Sequence, residues 1–361
     1  MSNSSAGQFF APGSILTLFL TVDQAVFECN ACILKPFVPF TKSQVLLVEL
    51  QPHISGIPSS VILKVYDPRF INDRERRPPT SVFPGRPWSL SLEIAAAERR
   101  KAIARNERLD DEADYVDFDG VLWEEEFYRT TEDAFDSELA AYSRLQDLQG
   151  VGIPRYYASG NLAVDPLRPI SPRVLALEYV PGESLTTINP SSVPRSLARS
   201  LITTVCSFAS HGIIHCDLRP DNILFSQQTP RVVVIDFGQS ILRGDKSDSE
   251  WESVVRAEGD ENHVKLLLHK AGIRYLDPFF PQIFPNPRGA NHWNALVKMQ
   301  GQRWCVPTED WTGPDGIKLD NPIKWKLRDD VASWLTAKQA GLLTGVDPPR
   351  PGSPDYVPVI P

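Results

Sequence analysis

The sequence predicts an α+β protein, β-rich in its first part and mainly α-helical in its second, at a length that allows two domains or one bilobal unit. Three observations carry this. β-Branched and aromatic residues dominate 14–22, 44–50 and 61–66, and Gly/Pro/Ser clusters such as 53–60 separate them, which is strand patterning. Leu139, Tyr142, Leu145 and Leu148 recur at three-residue steps and give 136–148 one apolar stripe, so a helix is predicted there, with more helix at 193–210 and from Glu250 to about Ala271. With 361 residues, 42% hydrophobic and 23% charged, the chain can bury a core and is not a disordered polymer.

Taken in order, the stretch 15–22 (ILTLFLTV) is apolar but stops at Asp23, far short of the roughly 20 residues that cross a bilayer. It is expected to be a buried strand. No Lys or Arg precedes Lys35, so no secretory signal is expected, no membrane contact is expected, and an intracellular protein, cytoplasmic or nuclear, is the expectation. Five cysteines are too few and too scattered for a disulfide framework. Cys29 and Cys32 have half-site spacing, but no second pair follows, and two ordinary thiols are the favoured reading. After the strand at 61–66 comes an insertion of about 68–135, opening with Arg and Pro and containing a helix-like run at 89–109. Fourteen acidic and two basic residues between Glu107 and Glu138 give an excess of twelve negative charges, more than the net −8 of the whole chain. Such a block is expected to be a solvated face or a mobile insertion. The acidic balance also argues against a nucleic-acid backbone as the main partner. A strand at 174–180 is broken by Pro181-Gly182, two short apolar runs lie at 213–214 and 232–235, and six prolines among residues 347–361 predict an extended tail.

The chemistry is written in 211–225, HGIIHCDLRPDNILF, and 232–240, VVVIDFGQS. Asp217 and Asn222 stand five residues apart, and Asp236 follows fourteen later at the end of an apolar run, just before Phe237-Gly238. A hydroxyl attacking a nucleotide γ-phosphate needs a carboxylate to orient it and take its proton, and Mg²⁺ needs oxygen ligands near the phosphates. These three residues supply such oxygens, and a glycine after the second Asp is expected to turn the backbone away from the metal site.

Together HCDLRPDN and DFG resemble the catalytic loop and metal-binding motif of the protein-kinase superfamily. The resemblance extends over about residues 40–269, is strongest at 211–238, and with PFTKSQVLLVEL and VILKVYDPRF is similar to divergent kinase-like proteins found mainly in fungi. It implies ATP and Mg²⁺ as cofactors, with Asn222 and Asp236 on the metal, Asp217 as the catalytic residue that orients the acceptor hydroxyl and takes its proton, and Arg219 beside the transferring phosphoryl group. Lys64 resembles the strand lysine on the α/β-phosphates. Its partner is expected to be Glu138, with Glu132 and the run 124–126 as competitors. Leu177 resembles the gatekeeper, and Glu178 and Val180 the hinge residues that offer backbone contacts to adenine.

Three departures matter. No G-x-G-x-x-G precedes Lys64, and PFTKSQ at 39–44 stands nearest. Cys216 occupies the place of the usual Arg, which argues against control by activation-loop phosphorylation. After DFG only a short polar stretch, 242–249, precedes the helical pattern that opens at Glu250, and no A-P-E follows, so the protein-substrate platform is expected to be short or remodelled. The expected division is 1–180 (N-lobe), 181–300 (helical C-lobe) and 301–361 (C-terminal extension). The expected function is γ-phosphate transfer to a hydroxyl, of protein Ser/Thr first, of a small molecule second, with a binding scaffold lacking activity as the rival from another class.

Overall fold

Alternation fixes the first strand: in β1 (Ile15–Val22) Leu16, Leu18 and Leu20 are buried while the residues between them are more open. The computed structural model describes residues 8–74, 85–105, 119–226, 228–273, 275, 305–307 and 325–327. β3 (Gln44–Gln51) alternates in the same way, burying Leu46, Val48 and Leu50. β4 (Ser60–Tyr66) sends Val61, Leu63 and Val65 into the same core, and Lys64 and Tyr66 are buried as well, on the opposite face of the strand. Sequence patterning did not reveal β2 (Ala25–Phe37), because its first four residues are exposed on both faces and carry no alternation. Within it Cys29 is buried and Cys32 lies on the other face, so the pair cannot share a metal.

With β5 (Tyr156–Leu162) and β6 (Arg173–Leu177) these strands close into an antiparallel barrel of order β1-β2-β3-β4-β6-β5. Closure is made where β1 pairs with β5. Gly160 stands opposite Leu20, and a Cβ on it would lie 1.9 Å from the Phe19 carbonyl oxygen, so this seam requires glycine.

The insertion contributes α1 (Leu90–Ala104), ending before the expected 109, and most of α2 (Gly120–Arg144). α2 starts well before the expected 136. Its N-cap is Asp119, whose carboxylate accepts from the backbone N–H groups of Val121 and Leu122, both at 2.9 Å. Phe127, Thr131, Ala134, Phe135, Glu138, Ala141 and Tyr142 form its buried stripe at helical spacing. The described part of the acidic block is therefore not a uniformly solvated face. Arg74 grips Glu124 with two bonds of 2.8 and 2.5 Å and donates to the Pro68 carbonyl. Arg168 reaches Glu93 at 3.0 and 2.8 Å and Asp67 at 3.3 and 3.4 Å, with all of these side chains buried. Burial raises the cost of charge on Asp67, but Arg69 and Arg168 overcome it and hold its carboxyl below the usual range.

By its contacts the chain divides into two compact units, Met1–Ile188 with Thr203–Asp260, and Asn189–Ile202 with Glu261–Pro361. The first holds the barrel, both insertion helices, the end of α3 (Arg195–Ser210), the short pair β8 (Ile213–Ile214) and β11 (Ile241–Leu242), the sheet of β7 (Gly182–Ser184), β9 (Ile223–Ser226) and β10 (Val232–Val234), and α4 (Asp248–Glu258). Trp251 on α4 is buried and donates from its indole N–H to the Ala209 carbonyl at 2.9 Å. In the second unit α5, which begins at Asp260 (Asp260–Lys270), buries Val264, Leu267 and Leu268, and β12 (Cys305–Pro307) pairs with β13 (Trp325–Leu327). The proline-rich tail lies outside the described residues. Among those residues no helix is long and apolar enough to cross a membrane.

Candidate active site

Strand β4 and helix α2 bring the first pair together. Across 74 positions of sequence, Lys64 Nζ lies 2.5 Å from Glu138 Oε2, and it lies 2.7 Å from Asp236 Oδ1. The competing acids are committed elsewhere: Glu124 to Arg74, Glu125 to Arg100 at 3.0 Å, Glu126 to Arg129, and Glu132 near Arg173 at 3.6 Å. Burial works against charge on Lys64, yet the Asp236 and Glu138 carboxylates outweigh it and raise its pKa above the ordinary lysine value. At Asp236 burial favours the neutral acid, and Lys64 reverses this, so the carboxyl titrates below its usual range.

Tyr66 was not anticipated. Two residues beyond Lys64 on the same face of β4, its hydroxyl donates to Glu138 Oε2 at 2.6 Å while its ring stands edge-on to Phe135 at 5.4 Å. The i, i+2 spacing from Lys64 was the available signal. Glu138 Oε1 is buried and has no hydrogen-bond partner.

The catalytic-loop segment is held by its neighbours. Asp260 accepts from the backbone N–H of His215 at 2.6 Å and of Cys216 at 3.4 Å, and Cys216 sits at φ 60°. His215 is fully buried against Phe237, 4.7 Å between rings. Its Nε2 faces the Ile235 carbonyl at 3.0 Å and its Nδ1 faces the Asp217 N–H at 3.2 Å, so the ring donates from Nε2 and accepts at Nδ1. That is the neutral tautomer. Burial lowers the His215 pKa, with Ile235 and Asp260 opposing only in part. His215 packs and orients the loop. Burial and Asp260 push the Cys216 thiol to about 11, so it is no nucleophile at neutral pH.

Asn222 donates its amide to the Asp217 carbonyl oxygen at 2.8 Å and to Asp217 Oδ2 at 3.3 Å, which turns the amide oxygen the other way. Arg219 Nε lies 3.1 Å from Asp217 Oδ1, and its Nη2 lies 4.0 Å from Asp236 Oδ2. The turn at the second motif is made differently from the sequence expectation. Asp236 itself takes the left-handed conformation, φ 71°, while Gly238 is absent from the positive-φ positions, and a Cβ on Gly238 would meet nothing closer than 3.5 Å.

A cavity of about 330 Å³ joins these parts, lined by Asp217, Arg219, Asp236 and Glu138, and also by Thr41, Lys42 and Ser43. The PFTKSQ turn thus stands over the acids. Leu177, Glu178 and Val180 do not line this cavity. Leu177 and Val180 are buried, and the Glu178 N–H already donates to the Arg155 carbonyl at 2.8 Å, leaving only its carbonyl for the expected hinge contact. Among the described residues no group of three or more His, Cys, Asp or Glu side chains is placed to hold a metal ion alone.

Known proteins resemble this part of the chain. Residues 168–263 match the model of the ABC1 atypical kinase-like domain. In that segment the chain is similar to kinase-like domains. Serine/threonine-protein kinase D of Synechocystis sp. is 41% identical over 66 residues, which is 18% of this chain and 13% of that protein. Dual specificity protein kinase KNS1 of Saccharomyces cerevisiae is 26% identical over 125 residues, 34% of this chain and 16% of that protein. The chain therefore spans under a fifth of the length of these curated relatives. A mutant PknI kinase domain of Mycobacterium tuberculosis overlays with a TM-score of 0.31 at 14% identity, covering 58% of this chain and 59% of that one, which is too little to carry an argument.

Proposed function

We propose that the protein is an ATP-dependent phosphotransferase that moves the γ-phosphoryl group to a hydroxyl, that of a protein serine or threonine. The observation that carries the reading is Lys64 shared between Glu138 and Asp236, with Asp217 and Asn222 bonded to each other on the adjoining loop. In this reading Lys64, steadied by Glu138, holds the α- and β-phosphates. Asp217 orients the acceptor hydroxyl and takes its proton, and Arg219 offsets charge developing on the phosphoryl group. Leu177 and the backbone of Glu178 and Val180 receive adenine, and the lobes divide at 180, followed by the helical part to 300 and the extension 301–361.

The donor set suits a hard divalent cation. Among the described residues Glu138, Asp217 and Asp236 are ion-paired with Lys64 and Arg219, and His215 is neutral, so one negative charge is left over in that cluster. Asn222 and Asp236 would hold Mg²⁺, and phosphate oxygens and water would complete its shell, because two protein ligands do not. When bound, the ion supplies charge neutralisation on the polyphosphate.

The short link from Gly238 to α4 supports a second reading, a small-molecule hydroxyl as acceptor, since little chain remains for a protein platform. The test is transfer from γ-labelled ATP with Mg²⁺ to mixed protein and small-molecule acceptors, beside Asp217→Ala and Asp236→Ala. Each variant is expected to lose at least about 100-fold in rate. Undiminished transfer in both variants overturns the mechanism. No transfer and no nucleotide binding by the wild type moves the reading to a scaffold.

A further inference from the structure

The missing glycine-rich loop leaves the phosphates without their usual cover, and the turn that replaces it carries a cation. Lys42 follows Thr41 and precedes Ser43 in the turn between β2 and β3, and all three line the 330 Å³ cavity that Asp217, Arg219 and Asp236 also line. Lys42 further lines a neighbouring cavity of about 270 Å³ with Thr130, Asp133, Ser137 and Ser240, so it stands where the two spaces meet. The turn is not loose. Phe40 is buried edge-on against Phe10 at 5.5 Å, and the Thr41 carbonyl accepts from the Asn72 N–H at 3.1 Å. The backbone is thus pinned just before Lys42, whose side chain is open to solvent.

Its pairing with Asp73 is long and open. Lys42 Nζ is 3.5 Å from Asp73 Oδ2, with the two side chains 40% and 30% exposed. An ion pair this open is worth little, and a polyphosphate carries several charges where Asp73 carries one. Asp73 also lines the main cavity, so the exchange needs only side-chain motion.

We propose that Lys42 is the phosphate-cover residue of this chain: it leaves Asp73 to bind the terminal phosphates of the nucleotide, a point charge doing what backbone amides of a glycine-rich loop do elsewhere. Asp73 acts as the gate that holds Lys42 when no nucleotide is present. The inference rests on the ATP reading above and deepens it.

The test is isothermal titration of the full chain with Mg·ATP and with AMP. Lys42→Met is expected to weaken Mg·ATP by about tenfold, the scale of one charge-assisted bond, and to leave AMP unchanged. Lys42→Arg should recover most of the loss. Asp73→Asn should act in the opposite direction and tighten Mg·ATP by about two- to fivefold, the worth of an exposed pair. Equal ATP affinity in Lys42→Met, an equal loss for AMP, or weaker ATP binding in Asp73→Asn each overturns the role of Lys42 while leaving the phosphotransferase reading in place. A wild-type chain that binds neither nucleotide overturns both.

Discussion

Two sets of charges, one reached by Glu124 near the start of α2 and the other by Glu138 near its end, are built on different principles. Around Asp67 the charges balance: Arg69 and Arg168 face Asp67 and Glu93, and Arg74 faces Glu124 in a two-bond grip. Around Lys64 they do not, because Lys64 is divided between two acids, Asp217 adds a third, and Glu138 keeps one buried oxygen unpartnered. Burying charge is tolerated when every lone pair and proton finds a partner. The first set meets that condition and works as a brace for the insertion. The second leaves it unmet, which accords with the proposed binding of a divalent cation and a polyphosphate there.

Breaking the brace should cost the most stability. Arg168→Met leaves Glu93 without its cation and Asp67 with Arg69 alone, and is expected to lower unfolding free energy by about 3–5 kcal/mol, read by denaturant titration, with Mg·ATP affinity of the folded fraction unchanged. If affinity falls in step with stability, the two charge sets are coupled and the contrast fails. Tyr66→Phe removes one hydroxyl and keeps the ring against Phe135. It should cost about 1–2 kcal/mol and lower the transfer rate more than it raises KM for ATP, since Glu138 loses a bond that fixes it on Lys64. A loss of stability with kinetics unchanged would make Tyr66 a packing residue only.

The smallest effect is in pH. His215 has a folded pKa below its unfolded value of 6.5, so the unfolded chain binds the proton more readily. Its contribution is complete above pH 6.5 and is lost as pH falls through the folded pKa. Melting temperatures followed from pH 7.5 down to 5.5 should therefore decline, and His215→Phe should flatten that decline while starting lower, because the Ile235 carbonyl loses its donor. An unchanged slope in the variant would assign the decline to other groups.

Sequence patterning reached the parts of this structure where one physical rule acts alone. β-Branched and aromatic runs between turn clusters marked β1, β3 and β4, and the spacing of Asp217, Asn222 and Asp236 marked residues that do lie around one cavity or touch its lining. It failed where rules compete. β2 opens with residues exposed on both faces, so it carried no period. The front half of α2 was hidden because its Glu run looks like solvated charge until Arg74 and Arg100, distant in sequence, are placed beside it. The left-handed turn at Asp236 was assigned to glycine on steric grounds, yet the bond to Lys64 accompanies it at the Asp itself. Tyr66 and Lys42 were missed because a tyrosine in a strand and a lysine in a turn are ordinary until their neighbours are known.

The seam at Gly160 has a further consequence. A sheet that closes on itself has spent its outermost hydrogen-bonding groups, so this barrel offers no strand for a neighbouring chain to extend. Gly160→Ala would prise β1 from β5 and free two such edges at once, turning a folding defect into a template for self-association.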